Sequence, residues 1–218
     1  MTDYALARLN MVESQVRTNG VTDHRILDAM LRLPREKFLP QSAAAIAYAD
    51  GDVALPGGRA ELSPMMMGKL MQLAAIANHE TILLVGAGLG YGAALAAALA
   101  GRVYALEQHG ALASEVRRNL AGLTMVEVVK GPLAAGWAAA APYDAIVVAG
   151  RVETVPEALF EQLAPGGRIV GIAGDSRLAR LVRWTVAEDG QKSRLASFEG
   201  QAPRLPGFDA EKPAFVFG

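Results

Sequence analysis

The sequence predicts an α/β protein with a doubly wound, mostly parallel sheet, antiparallel strands at its C-terminal edge and a helical extension at its N-terminus. First, the uncharged run 81–85 leads into alternating glycines and then an alanine-rich segment, which is the order strand, turn, helix. Second, short apolar runs alternate with helical patterns as far as residue 172. This alternation is typical of parallel strands joined by right-handed crossovers. Third, residues 181–186 alternate between polar and apolar, as in antiparallel strands.

Composition restricts the class of protein. The chain has 218 residues, of which 52% are hydrophobic and 20% charged, as in a compact globular domain. A net charge of -1 gives no electrostatic footprint for nucleic acid or an acidic membrane surface. The absence of cysteine excludes disulfides and thiol catalysis and favours a reducing cytoplasm. The uncharged stretch 81–101 is long enough to span a bilayer, but its closely spaced glycines favour a strand, a turn and a helix, so we predict no membrane span.

The elements follow from periodicity and from turn residues. Before residue 80 we expect helices over 5–18, from Thr22 or Asp23 to Pro34, and from Pro64 to Ile76, with loops and short extended pieces over 38–58. After residue 80 we expect helices over 92–100, 112–120 and 156–163. The expected strands are 81–85, 103–106, 125–129, 143–149, 168–172, 181–186 and 214–217.

The glycine-rich turn predicts a site for a nucleoside cofactor. Gly86, Gly88 and Gly90 remove side chains where the backbone must turn, so that a ligand can approach its N–H groups. Glu107 follows the next apolar run about twenty residues later, which is the spacing of carboxylates that bind ribose hydroxyls. The alternative is a buried strand, a helix packed through alanine and an ordinary surface glutamate.

Other chemistries lack their motifs. The three histidines are scattered without metal-ligand spacing, so no metal site is expected, and there is neither a Gly-x-Ser-x-Gly elbow nor a Walker phosphate loop. Methyl transfer to a carboxylate is compatible with the absence of an obvious base, because a carboxyl group with a pKa near 4 is already ionised at neutral pH.

Several motifs resemble the protein-L-isoaspartate O-methyltransferases, which belong to the S-adenosylmethionine methyltransferases of Rossmann-like fold. Most of the chain is covered, and its N-terminal part is the more diagnostic. The matching segments are Met11-Val12 with Gln15, Gly20-Val21-Thr22-Asp23, Ile26-Leu27-Ala29-Met30, residues 34–40, residues 47–50, Leu55-Pro56 with Gly58, residues 85–91 and residues 163–168.

The resemblance implies a function and its residues. S-adenosylmethionine would be the cofactor, bound by Gly86, Gly88, Gly90, Tyr91, Glu107 and Gly131. The partners would be damaged proteins or peptides carrying isoaspartyl residues, and the enzyme would be a cytoplasmic repair enzyme. One domain, 1–218, would combine a helical, substrate-side extension (1–79) with a cofactor-binding sheet (80–218).

This chain departs from the family pattern near the expected site. The segment that normally reads Gln-Thr-Ile-Ser-Gln is here Arg59-Ala60-Glu61-Leu62-Ser63, so Ser63 becomes the candidate catalytic hydroxyl only if the loop shifts by one residue. Two acids of the family are replaced, by Leu84 and by Pro132. Each loss removes a hydrogen-bonding group worth about 1–3 kcal/mol if buried.

Three hypotheses follow. The first is a methyltransferase of the isoaspartyl type, and the second is a binding or regulatory protein that keeps the fold without turnover. The third is a nicotinamide-dependent oxidoreductase, because a strand, a glycine loop and a distal acid also serve that cofactor. The Gly-x-Gly-x-Gly spacing and Pro165-Gly166-Gly167 weigh against the third hypothesis.

Overall fold

The computed structural model describes residues 3–187 and 189–209. Its centre is a seven-stranded sheet with the order β5-β4-β3-β6-β7-β8-β9. These strands are β3 (Thr81–Val85), β4 (Arg102–Glu107), β5 (Val126–Lys130), β6 (Tyr143–Val152), β7 (Leu163–Gly174), β8 (Ala179–Val186) and β9 (Lys192–Glu199). The first five strands in this order, β5, β4, β3, β6 and β7, are parallel to one another. Strands β8 and β9 pair antiparallel at one edge, so the predicted fold class is confirmed.

The order of the strands reverses at β3. Strand β3 pairs with β4 on one side and with β6 on the other, so the chain turns in opposite directions from this strand. In open α/β sheets, ligands bind in the crevice beyond the carboxyl ends of the strands at such a switch point. That crevice lies where β3 runs into the glycine turn.

The central strands are buried on both faces. Ile82 and Leu84 belong to one hydrophobic cluster, whereas Leu83 and Val85 belong to another on the opposite face. The first cluster also contains Met11 and Met30 from the N-terminal helices. Because successive side chains of a strand point to opposite faces, this arrangement accounts for the uninterrupted apolar run.

The N-terminal helices begin at side-chain caps. Helix α1 (Tyr4–Met11) is capped by Asp3 and continues as a π-helical turn, Val12–Val16. Helix α2 (His24–Arg32) is capped by Asp23, and α3 (Pro64–Ala74) by Ser63. Helix α3 ends two residues earlier than predicted, because Ala75 adopts a left-handed conformation with φ of 48°.

The remaining elements cover the sheet or its crevice. Helices α4 (Tyr91–Ala97) and α5 (Gly110–Asn119) connect the strands close to the predicted positions. Helix α6 (Glu157–Phe160) is shorter than predicted, because Leu163 already belongs to β7. A separate hairpin, β1 (Val53–Leu55) and β2 (Arg59–Glu61), precedes α3. The strand predicted over 214–217 lies outside the described residues, and the division of the chain at residue 79 remains a prediction.

Across the part of the chain that the structure describes, no helix has the length and apolarity needed to cross a membrane. The uncharged stretch 81–101 is folded as β3, the glycine turn and α4, as the sequence predicted.

Candidate active site

The glycine turn has a backbone that only glycine adopts readily. The φ angles of Gly86, Gly88 and Gly90 are +86°, +60° and +102°. The turn is fixed to the neighbouring strand, because the N–H groups of Gly86 and Ala87 both donate to the carbonyl oxygen of Leu106, at 2.9 and 3.0 Å. The three glycines thus bring bare backbone to the carboxyl end of β3.

Glu107 is bound to this turn. It is the last residue of β4 and is completely buried. Its Oε2 accepts a hydrogen bond from the N–H of Gly88 at 2.9 Å, and its Oε1 accepts from Gln108 and His109 at 2.9 and 3.0 Å. The alternative of an ordinary surface glutamate is therefore wrong.

Arg59 lies against Glu107 in the same crevice. Its Nη2 is 3.4 Å from Glu107 Oε2 and its Nε is 3.5 Å from Oε1, and only 4% of the residue is exposed. The same Nη2 lies 2.6 Å from the position that a Cβ would occupy at Gly86. The space left by the missing side chain of this glycine is therefore taken by a guanidinium of the chain itself.

Glu61 occupies the equivalent space at the second glycine. Its Oε2 is 2.8 Å from the position of a Cβ at Gly88 and accepts a hydrogen bond from the N–H of Leu89 at 3.2 Å. Burial raises the pKa of Glu61 to about 7, although nearby Arg35, the Leu89 N–H group and Arg59 all act to lower it. Glu61 therefore titrates close to neutral pH.

The segment 203–205 borders the crevice on the side of Gly86 and of Gly150 on β6. Leu205 lies 3.2 Å from the Cβ position at Gly86 and 2.5 Å from that at Gly150 on β6. Two backbone hydrogen bonds hold the segment: Arg151 donates to Pro203 at 3.0 Å, and Leu205 donates to Arg151 at 2.8 Å. No sequence pattern predicts a role for this segment.

The other predicted cofactor residues are not all placed alike. Gly131 follows β5, and its N–H group donates to the Glu107 carbonyl oxygen at 3.4 Å, so its backbone borders the same crevice. Tyr91 begins α4, but its side chain is completely buried between the ring of Phe38, at 5.8 Å, and the Arg35 guanidinium, at 4.8 Å. Its side chain therefore belongs to the packing of the N-terminal extension.

Ser63, the predicted catalytic residue, has a structural contact in this conformation. Its Oγ accepts a hydrogen bond from the Met66 N–H at 3.3 Å as the N-cap of α3, and its own N–H donates to Asp52 Oδ1 at 2.8 Å. A catalytic role for this hydroxyl stays a prediction.

Arg59 and Glu61 were not predicted as site residues, although they flank Ala60 in the segment that departs from the family pattern. The signal available was their spacing: two charged residues separated by one alanine lie on the same side of an extended strand.

The backbone of the site fits a nucleoside cofactor, whereas three side chains of the chain itself occupy the space that such a cofactor would need. The bare turn and a buried carboxylate are the groups that would meet a phosphate-free nucleoside. Arg59, Glu61 and Leu205 fill the space in front of the turn. Beside them remains a cavity of about 250 Å³, lined by Gly57, Arg59, Gln108, His109, Gly110 and Pro206.

Among the described residues, no group of three or more His, Asp or Glu side chains is placed to hold a metal ion.

Relatives and solved structures are similar to this chain. A protein-L-isoaspartate O-methyltransferase of Methylorubrum populi is 44% identical over 187 residues, covering 84% of this chain and 87% of the relative. One of Geobacter metallireducens is 39% identical, covering 88% of this chain and 90% of its own. A solved protein-L-isoaspartate O-methyltransferase superposes with a TM-score of 0.78 at 26% identity, covering 92% of this chain and 66% of that one.

A second solved structure supports the fold alone. It is a putative protein-L-isoaspartate O-methyltransferase from Plasmodium falciparum in complex with S-adenosyl-L-homocysteine, with a TM-score of 0.73 at 19% identity, covering 94% of this chain and 99% of that one.

The sequence model of the family described as "Protein-L-isoaspartate(D-aspartate) O-methyltransferase" matches residues 7–196. This chain therefore belongs to the protein-L-isoaspartate O-methyltransferase family, as its motifs predicted.

Proposed function

We propose that this protein is an S-adenosylmethionine-dependent O-methyltransferase that esterifies isoaspartyl carboxylates in damaged proteins or peptides. Family membership supports the reaction class, and the backbone of the glycine turn together with the buried Glu107 supports the cofactor. The observation that carries the proposal is Glu107, which is buried at the switch point and hydrogen-bonded to the turn through Gly88. We further propose a cytoplasmic location, because the chain contains no cysteine.

Glu107, the three glycines of the turn and Gly131 each have a role in this proposal, whereas the side chain of Tyr91 is used in packing. Glu107 would accept hydrogen bonds from the two ribose hydroxyls. Gly86, Gly88 and Gly90 would leave room for the cofactor along the turn, and the backbone of Gly131 would border its base. When bound, the cofactor supplies an electrophilic methyl group on a sulfonium.

The chain itself needs to supply little acid–base chemistry. A carboxylate acceptor is ionised at neutral pH, so no base has to remove a proton. Catalysis then consists mainly of alignment, which can contribute about 7–11 kcal/mol to lowering the barrier. Ser63 is the proposed hydroxyl near the acceptor, because its Oγ accepts the capping hydrogen bond from Met66 N–H and still has its own O–H to donate.

A second candidate function is a binding protein of the same fold without turnover. Specific observations favour it: Arg59 and Glu61 fill the crevice, and Ala60 and Leu62 stand where the family pattern has hydroxyl side chains. It differs from the first proposal only in methyl transfer.

The test is methyl transfer from labelled S-adenosylmethionine to an isoaspartyl peptide, with the matching aspartyl peptide as control. We expect label in the isoaspartyl peptide alone, as a base-labile ester. Cofactor binding without transfer would support the second function, whereas transfer to neither peptide and no binding of S-adenosylhomocysteine would refute both proposals.

Glu107→Gln tests the ribose contact. The variant keeps the shape of the side chain but loses a charged acceptor, so we expect S-adenosylhomocysteine affinity to fall at least tenfold by calorimetric titration. The comparison is made in an Arg59→Gln background, because the pair between Arg59 and Glu107 is then absent from both proteins. Unchanged affinity in the folded variant would refute the assigned role of Glu107.

A further inference from the structure

Strand β2 carries two charged side chains into the crevice that the proposed cofactor must enter. Arg59 and Glu61 are separated by one residue and approach two different glycines of the turn, Gly86 and Gly88, at 2.6 and 2.8 Å from their Cβ positions. Two independent contacts therefore place the same strand where glycine would otherwise admit a ligand.

These contacts use the groups that a cofactor needs. Both oxygens of Glu107 face nitrogens of Arg59 as well as backbone N–H groups, which leaves this carboxylate little capacity for ribose hydroxyls. Glu61 accepts the hydrogen bond of Leu89 N–H at the same turn. The side chains of Arg59 and Glu61, as placed here, therefore compete with a cofactor for the same groups of the crevice.

Among the described residues, no strand pairing joins the hairpin to the main sheet. Strands β1 and β2 form a separate two-stranded sheet of three residues each, paired only with each other. The loop between them, Pro56–Gly58, contains two glycines with φ of +70° and +68°. The seven-stranded sheet keeps all its strand pairings if the hairpin shifts.

We propose that Arg59 and Glu61 form an autoinhibitory plug, which fills the cofactor crevice in the resting protein and must leave before S-adenosylmethionine binds. This inference rests on the proposed function. The apparent dissociation constant then equals the intrinsic one divided by the fraction of molecules with the hairpin open. Weakening the plug raises that fraction and therefore the affinity.

The test is calorimetric titration of S-adenosylhomocysteine into the full chain and its variants. Arg59→Gln removes the charge that pairs with Glu107, and Glu61→Ile removes the acceptor of Leu89 N–H. We expect at least tenfold tighter binding in Arg59→Gln and a gain of several fold in Glu61→Ile. Arg102→Gln is the matched control, because Arg102 begins the same strand as Glu107 but pairs with exposed Glu127; its affinity is expected to stay within twofold of wild type.

Hydrogen exchange of the wild-type protein gives an independent readout if a variant fails to fold. We expect S-adenosylhomocysteine to increase exchange in residues 53–61 and to decrease it in residues 86–90. Increased protection of both segments would overturn the plug.

The titration separates the two proposals. Equal affinity of wild type, Arg59→Gln and Glu61→Ile overturns the plug and leaves the proposed cofactor standing. No binding to any of the folded proteins overturns the cofactor, and the plug with it.

Discussion

At the scale of single residues, Glu61 makes stability depend on pH. Its pKa is raised from 4.5 to about 7 in the folded protein, chiefly by burial. The stability associated with such a group is fully present below pH 4.5 and is lost as pH rises through about 7, because the folded state must then hold a buried charge.

Glu61→Gln imitates the protonated side chain, so the variant should lose this pH dependence. We expect the free energy of unfolding of the variant minus that of wild type to be about 1–3 kcal/mol larger at pH 8 than at pH 5. Urea unfolding at the two pH values measures this. The same stability difference at both would contradict the expected titration.

Tyr91 gives a second prediction at this scale. Its hydroxyl is buried and has no hydrogen-bond partner among the described residues. Burying an unpaired hydroxyl costs about 1–3 kcal/mol, so Tyr91→Phe should raise the free energy of unfolding by about 1 kcal/mol. Because the ring packs against Phe38 and Arg35, S-adenosylhomocysteine affinity should not change. A tenfold loss of affinity would instead show that the hydroxyl contacts the cofactor.

At the scale of elements, Ser63 determines where α3 begins. Loss of a serine N-cap costs about 1 kcal/mol, so Ser63→Ala should lower the free energy of unfolding by about that amount, while Ser63→Thr keeps the cap and most of the stability. Urea unfolding checks this. If Ser63→Ala also lowers kcat more than tenfold at unchanged KM, the serine has a catalytic role in addition to the cap.

Most elements were predictable because their signals are local. The strands at 81–85 and 143–149 are apolar on both faces, and Asp23 and Pro64 are helix-start residues, so periodicity and capping chemistry located them. Strand β9 gives no such signal, because every residue in it is exposed and no apolar alternation results. The β1–β2 hairpin has strands of only three residues around Pro56–Gly58, which the sequence presents as a loop.

At the scale of the whole molecule, half of the candidate site was predictable. Gly86, Gly88 and Glu107 follow a fixed spacing along one strand-turn-helix-strand unit, and the structure brings them together. The contact between Arg59 and Glu107 joins residues that are 48 positions apart. It depends on a hairpin that no local sequence pattern predicts. The glycine turn and Glu107 are therefore predictable from local sequence, whereas the filling of the crevice by Arg59 depends on tertiary packing.

Arg168 connects residues that are distant in sequence, at the end of the sheet opposite the glycine turn. Its guanidinium donates to Glu80 Oε2 at 2.7 Å, to the carbonyl oxygen of Ala75 at 3.0 Å and to that of Asp144 at 3.2 Å, and also to that of Ala74. One buried side chain thus connects the end of α3, the segment before β3, β6 and β7.

Removing this connection should destabilise the whole fold. Arg168→Met leaves the Glu80 carboxylate and three backbone carbonyl oxygens without their donor, and breaking a buried ion pair by removing one partner costs about 3–5 kcal/mol. We expect the free energy of unfolding, measured in urea, to fall by about 3 kcal/mol, whereas Arg102→Gln, which breaks an exposed pair, should cost less than about 1 kcal/mol. Because the glycine turn lies beyond the other end of the sheet, the folded fraction of Arg168→Met should bind S-adenosylhomocysteine with wild-type affinity. Equal stability losses in the two variants would show that the pair with Glu80 behaves like a surface contact.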